Sequence, residues 1–238
     1  MILEVAREPS RWTIGLNRPE KANALSSELV EALIAAVAEA EASAVPVLVF
    51  RGAGRNFSAG FDFSDFEQQS EGDLLLRFVR IEMLLQAVAR SSCLTVGLAQ
   101  GRNFGAGVDL LAACRWRIAA PQATFRMPGL GFGLVLGTRR FAAIVGREKA
   151  REILEGLRTF DAEAAHAMGF VRAVAPHEEW PTVVAEAEAT AASLSIESRR
   201  LLHQALDPGS DDADLAALAR SAAAPGIKQR IRVYLARS

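Results

Sequence analysis

A short stretch of the sequence, residues 96–114, combines small residues with one acid. It predicts a buried strand, a tight turn and a helix that begins near Gly105, with Ala106 and Gly107 in its first turn. The free N–H groups of a helix's first turn, at the positive end of its dipole, favour a developing negative charge. Asp109 follows Ala106 by three residues and so lies about one turn further on. Backbone donors beside an acid suit acid/base chemistry that forms an oxyanion.

The same stretch has a second interpretation. Small residues also let a helix pack closely against a sheet, and Asp109 could bond a backbone N–H in the turn. A second place where backbone N–H groups could be free is residues 57–62, just beyond the glycine-rich turn 51–56. Ser58 in that segment is not a convincing nucleophile, because it lacks a strand–serine–helix elbow and a histidine partner.

Composition limits the classes of protein. The chain has 238 residues, half of them apolar, and a net charge of −1, so it can bury a sizeable core but shows no basic patch for nucleic acid. The two cysteines show no disulfide pattern, and the three histidines show no metal-ligand spacing, so we expect no metal site. No signal-peptide layout or apolar run of membrane-spanning length is present. We therefore expect a cytoplasmic protein with no membrane association.

The remaining pattern predicts how these residues are positioned. Strands alternate with helices up to about residue 175, which indicates an α/β core over residues 1–180. Ser26 is a good N-cap for the first long helix. A second long helix is expected to open at Asp73, and its apolar side is expected to carry Leu76, Val79, Met83 and Val88.

Beyond residue 180 only helices are expected, which predicts a C-terminal helical oligomerisation region over residues 181–238. Its apolar positions need a partner surface, so we expect these helices to pack across a subunit boundary. These positions are Leu215, Leu218, Ile227, Ile231 and Leu235.

Four segments, in order, resemble the enoyl-CoA hydratase/isomerase (crotonase) superfamily: 17–25, 57–62, 101–114 and, more weakly, 164–171. The resemblance implies an α/β fold, a crotonase-like spiral of β-β-α units with a C-terminal helical region. It implies homotrimers or dimers of trimers. The implied partner is an acyl-CoA thioester, with coenzyme A as part of the substrate and no permanently bound cofactor.

The resemblance also implies site residues by position. The backbone N–H groups of Phe61 and Ala106 would hold the thioester oxygen, which requires an ordinary φ at Ala106. Asp109 would be the acid/base. The residues expected to contact the CoA thioester are Lys21, Ala22, Leu25, Ala59, Gly60, Asp62 and Gly105.

The sequence departs from the superfamily at its acids. Typical hydratases place two glutamates over the substrate; the first position falls on Asp109 here and the second on Gly129. One carboxylate still supports the 1,3-proton transfer of an isomerase, or hydrolysis or decarboxylation. Asp65, Glu67 or Glu82 could supply another acid, although a solvated helix face is the alternative for each.

Three hypotheses follow for function. The first is an acyl-CoA enzyme whose chemistry is isomerase-like or a side branch of the superfamily. The second is a non-catalytic acyl-CoA-binding or scaffold protein. A nucleotide-binding oxidoreductase is a distant third, because the glycine-rich loop 129–133 lacks the preceding strand and the later acid of a dinucleotide site. Arg139 and Arg140 indicate either a nearby anion or a surface ion pair.

Overall fold

Two sheets organise the structure, a computed structural model that describes residues 1–206 and 209–237. The strands are β1 (Leu3–Arg7), β2 (Arg11–Leu16), β3 (Val47–Gly52), β4 (Leu94–Ala99), β5 (Arg102–Phe104), β6 (Trp116–Ala119), β7 (Thr124–Arg126), β8 (Thr159–Asp161) and β9 (Ala173–Val174). The larger sheet has the order β1-β2-β3-β4-β6-β9, and the smaller has β5-β7-β8. Only the β1–β2 pair of the larger sheet is antiparallel.

Helices cover the larger sheet and form most of the C-terminal part. They are α1 (Ser27–Ala42), α2 (Glu71–Arg90), α3 (Ala106–Ala113), α4 (Thr138–Val145), α5 (Arg147–Glu155), α6 (Ala162–Ala167), α7 (Trp180–Ala192), α8 (Ile196–Leu206), α9 (Asp211–Ala223) and α10 (Ile227–Leu235). The Ser26 side chain caps α1 by accepting from Leu29 N, as predicted. Helix α2 begins before Asp73, because Ser70 and Asp73 form a reciprocal capping box.

From β4 to β7, consecutive strands alternate between the larger and the smaller sheet. Strand β4 lies in the larger sheet and β5 in the smaller, and α3 follows them; β6 and β7 repeat the division. Alternate residues of β3 face opposite sides: Leu48 and Phe50 belong to the core with α1, α2 and α3, and Val47 and Val49 belong to the core with α7. The predicted α/β class is confirmed.

The predicted apolar side of α2 is partly wrong. Leu76 and Met83 are exposed, whereas Leu74, Phe78 and Ile81 are buried. Helix α2 contacts α1, α3 and α9. Apolar residues therefore occupy more than one of its faces, and their spacing alone does not select the face turned to the core.

The C-terminal helices also differ from expectation. Leu218, Ile227 and Ile231 are buried within their own chain, Leu215 is half-buried, and Leu235 is exposed. The first three already have a partner surface, contrary to the expectation that they need one from another subunit. The division at residue 180 stays a prediction, and residues 207, 208 and 238 of the predicted region lie outside the described ranges.

Candidate active site

A cavity of about 300 Å³ brings together residues from separate parts of the chain. Five of the residues predicted from the sequence line it: Ala59, Phe61, Gly105, Ala106 and Asp109. Most of the remaining wall is apolar, including the aromatic rings of Phe63, Phe78, Phe104, Phe132 and Tyr234. The cavity therefore joins an apolar enclosure to one acid and two segments of backbone.

The N–H group of Phe61 has no acceptor among the described residues. Its neighbours are both used, because Leu25 N donates to Gly60 O at 2.7 Å and Asp62 N donates to Leu25 O at 3.3 Å. These two bonds make Leu25 and Phe61 a parallel bridge. In such a bridge the N–H of the residue between the bonds points away from the partner strand. Phe61 N–H is thus available to a ligand in the cavity that Phe61 lines.

Ala106 supplies a second free amide at the start of α3. Gly105 before it has φ 48° and ψ −122°, a conformation that glycine adopts far more readily than other residues. Ala106 itself is helical and has no positive φ, as the resemblance required. Within the described chain its N–H has no backbone acceptor. A Cβ on Gly60 would lie 3.0 Å from Ala106 N and would overlap Phe104 O, so the segments carrying the two free amides adjoin closely.

Close packing and free amides occur together here. A Cβ on Gly107 would overlap Ser58 O, so this glycine lets α3 approach the 57–62 segment. Ser58 is buried, and its hydroxyl donates to Asn23 O at 2.9 Å. The Ser58 hydroxyl therefore has a structural partner, because it links the 57–62 segment to the loop that contains Asn23.

Asp109 is the one acidic side chain of the described residues that lines the cavity, and it is only 3% exposed. Its Oδ1 atom is buried with no hydrogen-bond partner in the described part of the chain. A Cβ on Gly137 would overlap this atom, so the carboxyl group lies directly against the Gly137 backbone. No bond from a turn N–H to the carboxyl group is found among the described residues, so the alternative in which Asp109 bonds a turn N–H has no support there.

Two charged side chains act on Asp109. Burial is the largest influence and raises the pKa of Asp109 well above its usual range; the Arg140 guanidinium opposes this, and Glu82 adds to it. Arg140 Nη2 donates to Glu82 Oε1 at 3.4 Å. Glu82 is 1% exposed, and burial raises its pKa, although Arg140 and Gln86 act to lower it.

The structure separates the acids that the sequence grouped together. The alternative of a solvated helix face is wrong for Glu82, which is buried on α2; Asp65 and Glu67 are exposed, but they lie in a turn before α2. Both arginines pair with a buried acid: Arg140 with Glu82 at 3.4 Å, and the half-exposed Arg139 with Asp214 at 3.1 Å.

Gly129 lines the cavity at a 3-10 turn, Gly129–Phe132, and contributes only backbone there. The superfamily's second acid therefore has no counterpart at this position.

The loop predicted to meet coenzyme A is tied to the free-amide segment. Ala59 N donates to Ala22 O at 2.9 Å, and Arg18 pairs with Asp62 at 2.8 Å. Burial would raise the pKa of Asp62, but hydrogen bonds from Ser64 and the Arg18 contacts lower it to about 2. Lys21 is exposed at the end of a short 3-10 helix. Contact of these residues with coenzyme A stays a prediction.

The described residues contain neither a cluster of metal ligands nor a membrane-spanning helix. No group of three or more histidine, cysteine or acidic side chains is arranged to hold a metal ion in residues 1–206 and 209–237. Over the same ranges, no helix combines the length and the apolar character needed to cross a bilayer.

Comparisons with known proteins agree with this architecture. The enoyl-CoA hydratase/isomerase family model matches residues 8–224. "Probable enoyl-CoA hydratase echA6" of Mycobacterium tuberculosis is 33% identical over 186 residues, which cover 77% of this chain and 72% of that protein. A crystal structure assigned to enoyl-CoA hydratase/isomerase, from Bordetella parapertussis, has a TM-score of 0.99 and 61% identity over the whole of both chains. Enoyl-CoA hydratase from Bacillus halodurans shares the fold, with a TM-score of 0.86 and 19% identity over 98% of this chain and 100% of that one.

Proposed function

This chain belongs to the enoyl-CoA hydratase/isomerase family, and on that basis we propose that it holds an acyl-CoA thioester oxygen between Phe61 N–H and Ala106 N–H. The observation that carries the proposal is that both amides lack an acceptor in the described chain and belong to residues that line the cavity with Asp109. Such donors stabilise the negative oxygen of an enolate, and losing one typically costs about 3 kcal/mol in the barrier. Asp109 is then the acid/base.

The proposed reaction is isomerase-like or another side-branch reaction, and not hydration by two glutamates. Asp109 is the single acid that lines the cavity in the described residues, and Gly129 occupies the second acid position. One carboxylate can take a proton from one carbon of the acyl group and return it to another. The free amides hold the intermediate enolate between these two transfers.

The wall of the cavity supports an apolar acyl group as the substrate's variable part. Phe61 and Phe78 stack at 4.4 Å between ring centroids, and Phe63 meets Phe132 edge to face at 6.1 Å. An apolar and aromatic surface of this kind favours apolar ligand groups, because their transfer out of water is favourable in free energy. Coenzyme A enters as part of this substrate, and Lys21 and Ala22 are proposed to border it.

The test compares the wild-type protein with Asp109→Asn. We expect calorimetry to show that both bind acetoacetyl-CoA, an enolate mimic. Across enoyl-, dienoyl- and malonyl-type CoA esters, we expect turnover by the variant to fall about 10²- to 10⁴-fold. Full turnover by Asp109→Asn removes the assigned role. Failure of the wild type to bind any CoA thioester removes the proposed function.

A non-catalytic acyl-CoA-binding protein is the second candidate, and the missing acid at Gly129 favours it. It predicts binding of acetoacetyl-CoA with no turnover of any ester in the panel. Turnover that Asp109→Asn abolishes decides against it.

We also propose a homotrimer or a dimer of trimers. Helix α8 supports assembly because Leu201, Leu202 and Leu206 are exposed on it. Light scattering at micromolar concentration is expected to show an oligomer, and a monomer contradicts the proposal. A cytoplasmic location stays a prediction from the sequence.

A further inference from the structure

Three charged side chains from three helices form a linked group that includes Asp109. Asp109 is on α3, Arg140 on α4 and Glu82 on α2, and the Arg140 side chain is 13% exposed. Among the described residues, Arg140 and Glu82 are the charged groups that act on Asp109. Asp214 of α9 acts on Glu82, and Arg139 pairs with Asp214. Asp109 lines the cavity, whereas Glu82 and Arg140 do not.

The bonding within this group is incomplete at two atoms. Arg140 Nη1 and Asp109 Oδ1 are both buried without a partner in the described chain. Buried polar groups are rarely left unpaired, because each one costs about 1–3 kcal/mol. Arg140 forms its ion pair with Glu82 and none directly with Asp109 in the described chain, so one bridging water is the way in which the leftover donor and acceptor can satisfy each other.

The backbone of α4 brings these two residues together. Asp109 rests against Gly137, the N-cap of α4. Arg140 follows Gly137 by three residues and so projects from the same side of the helix. The start of α4 thus supplies both the backbone that the Asp109 carboxyl group rests against and the cation whose charge acts on it.

We propose that Arg140 is a positioning residue that holds the Asp109 carboxyl group for catalysis, and that Glu82 anchors Arg140; this inference rests on the proposed function. Glu82 is then a second acid of the site, but one that acts from behind Asp109 and never touches substrate. It differs in this respect from the two glutamates of a typical hydratase.

The charges predict which carboxyl group holds the proton. Two buried carboxylates share one cation, so keeping both ionised is unfavourable. Glu82 accepts from Arg140 and, at 3.1 Å, from Gln86 Nε2, whereas Asp109 Oδ1 accepts from neither. Glu82 therefore keeps the negative charge, and Asp109 is the group that takes up and releases a proton.

Two substitutions are expected to move the pKa of Asp109 in opposite directions. Arg140→Met removes the cation and is expected to raise it by about one pH unit. Glu82→Gln removes the competing anion and leaves Arg140 to Asp109, which is expected to lower it by about the same amount. Arg140→Lys keeps the charge and is expected to restore most of the wild-type value.

The experiment records carbon-13 NMR titrations of the aspartate carboxyl groups, with Asp109→Asn to assign the signal, and the pH profile of kcat/KM. Arg139→Met is the matched control, because it removes the neighbouring α4 arginine that pairs with Asp214, and no shift is expected. If Arg140→Met does not fold, Glu82→Gln and Arg140→Lys still decide.

A purely structural role predicts lower stability with an unchanged Asp109 titration, and that result overturns the inference, as do shifts in the same direction. Opposite shifts with matching changes in the kcat/KM profile establish it. The NMR titration needs no turnover. Opposite shifts in a protein that turns over no ester therefore uphold the charge coupling and overturn the proposed catalytic function alone.

Discussion

The two ends of the cavity are built differently. At the polar end, the backbone amides of Phe61 and Ala106 and the carboxyl group of Asp109 are placed by main-chain hydrogen bonds and by glycines without room for a side chain. At the apolar wall, rings from separate segments meet, with Phe132 and Tyr234 at 5.3 Å between centroids. Backbone positions change little with side-chain size, whereas a ring wall can change its shape. We therefore expect the polar end to set the reaction and the wall to set the preferred acyl group.

The first prediction concerns Gly137→Ala, for which we expect the largest effect among the three comparisons of the two ends. The new Cβ would overlap Asp109 Oδ1, so the carboxyl group must move. A displacement of about 1 Å near reacting groups can cost about 100-fold in rate. We expect kcat/KM to fall by about that factor on the best ester of the panel, with acetoacetyl-CoA binding retained.

Gly226→Ala is the matched control for this variant. Gly226 is also a helix N-cap with a left-handed φ of 79°, but a Cβ there would meet nothing within 4 Å. Gly226→Ala therefore introduces the same kind of backbone strain, about 1–3 kcal/mol, but no overlap with Asp109. Equal losses of activity in the two variants would show that strain alone accounts for the effect.

The second prediction concerns the wall, through Phe132→Leu. Phe132 is buried and lines the cavity, where it contacts Phe63 and Tyr234. A loss of about 1 kcal/mol of apolar contact corresponds to about a fivefold rise in KM for large acyl groups. We expect kcat/KM for the smallest active acyl-CoA ester to stay within about twofold, and a KM series over acyl size measures the difference.

Phe141→Leu separates preference from stability. Phe141 is fully buried in a second group of rings with Phe160 and Phe170, away from the cavity wall. The substitution Phe141→Leu is expected to lower the free energy of unfolding by about 1 kcal/mol and to leave the preference for acyl groups unchanged. If both variants change preference alike, the wall does not select the acyl group.

The third prediction has the smallest expected effect on activity and concerns Asp62→Asn. Because its pKa in the folded protein is lowered to about 2, Asp62 stabilises the fold above about pH 4, and this contribution is lost as pH falls through 2. We expect the variant to lose about 1 kcal/mol of unfolding free energy at pH 7. Urea unfolding at pH 7 and near pH 2 should show the difference shrinking in acid.

Activity at pH 7 is expected to stay within about twofold in Asp62→Asn, because main-chain bonds hold Phe61. Glu197→Gln is the control for charge removal: Glu197 and Arg200 form an exposed pair three residues apart on α8. Because water screens this exposed pair, removing the charge of Glu197 is expected to leave the free energy of unfolding almost unchanged. A large loss of turnover in Asp62→Asn would mean that the polar end depends on this side chain after all.

Local signals in the sequence predicted much of the fold. Capping by Ser26, the buried strand at 47–50 and the helix after Gly105 depend on neighbouring residues, and the structure has all three. The cavity also unites five of the residues that were expected to meet. A short stretch of small residues indicated Gly105, Ala106 and Asp109 from the sequence itself. The site roles of Ala59 and Phe61 were implied by the resemblance to the superfamily.

The features that the sequence did not predict depend on contacts between residues far apart in the chain. Strand β5 has three residues, two of them polar, and pairs with β7 about twenty residues on, so no local pattern marks it. Glu82 looked solvated because its charge suggests a surface position, and its partner Arg140 comes from another helix. Glu82 directly follows the apolar residue Ile81, which is buried. This neighbour was a weak signal of burial and could not by itself show which face of α2 is turned to the core.

Helix α10 links the C-terminal part to the site. Arg230 Nη1 donates to Phe132 O at 2.8 Å, Arg232 pairs with Glu67 at 2.6 Å, and Tyr234 and Leu235 complete the cavity wall. A ligand that contacts Tyr234 and Leu235 stabilises the state in which α10 is packed against the rest of the chain. By thermodynamic reciprocity, the packed state of α10 strengthens ligand binding by the same factor. Occupancy of the cavity should thus slow proteolysis of α10, which makes the resistance of this helix a reporter of what the cavity holds.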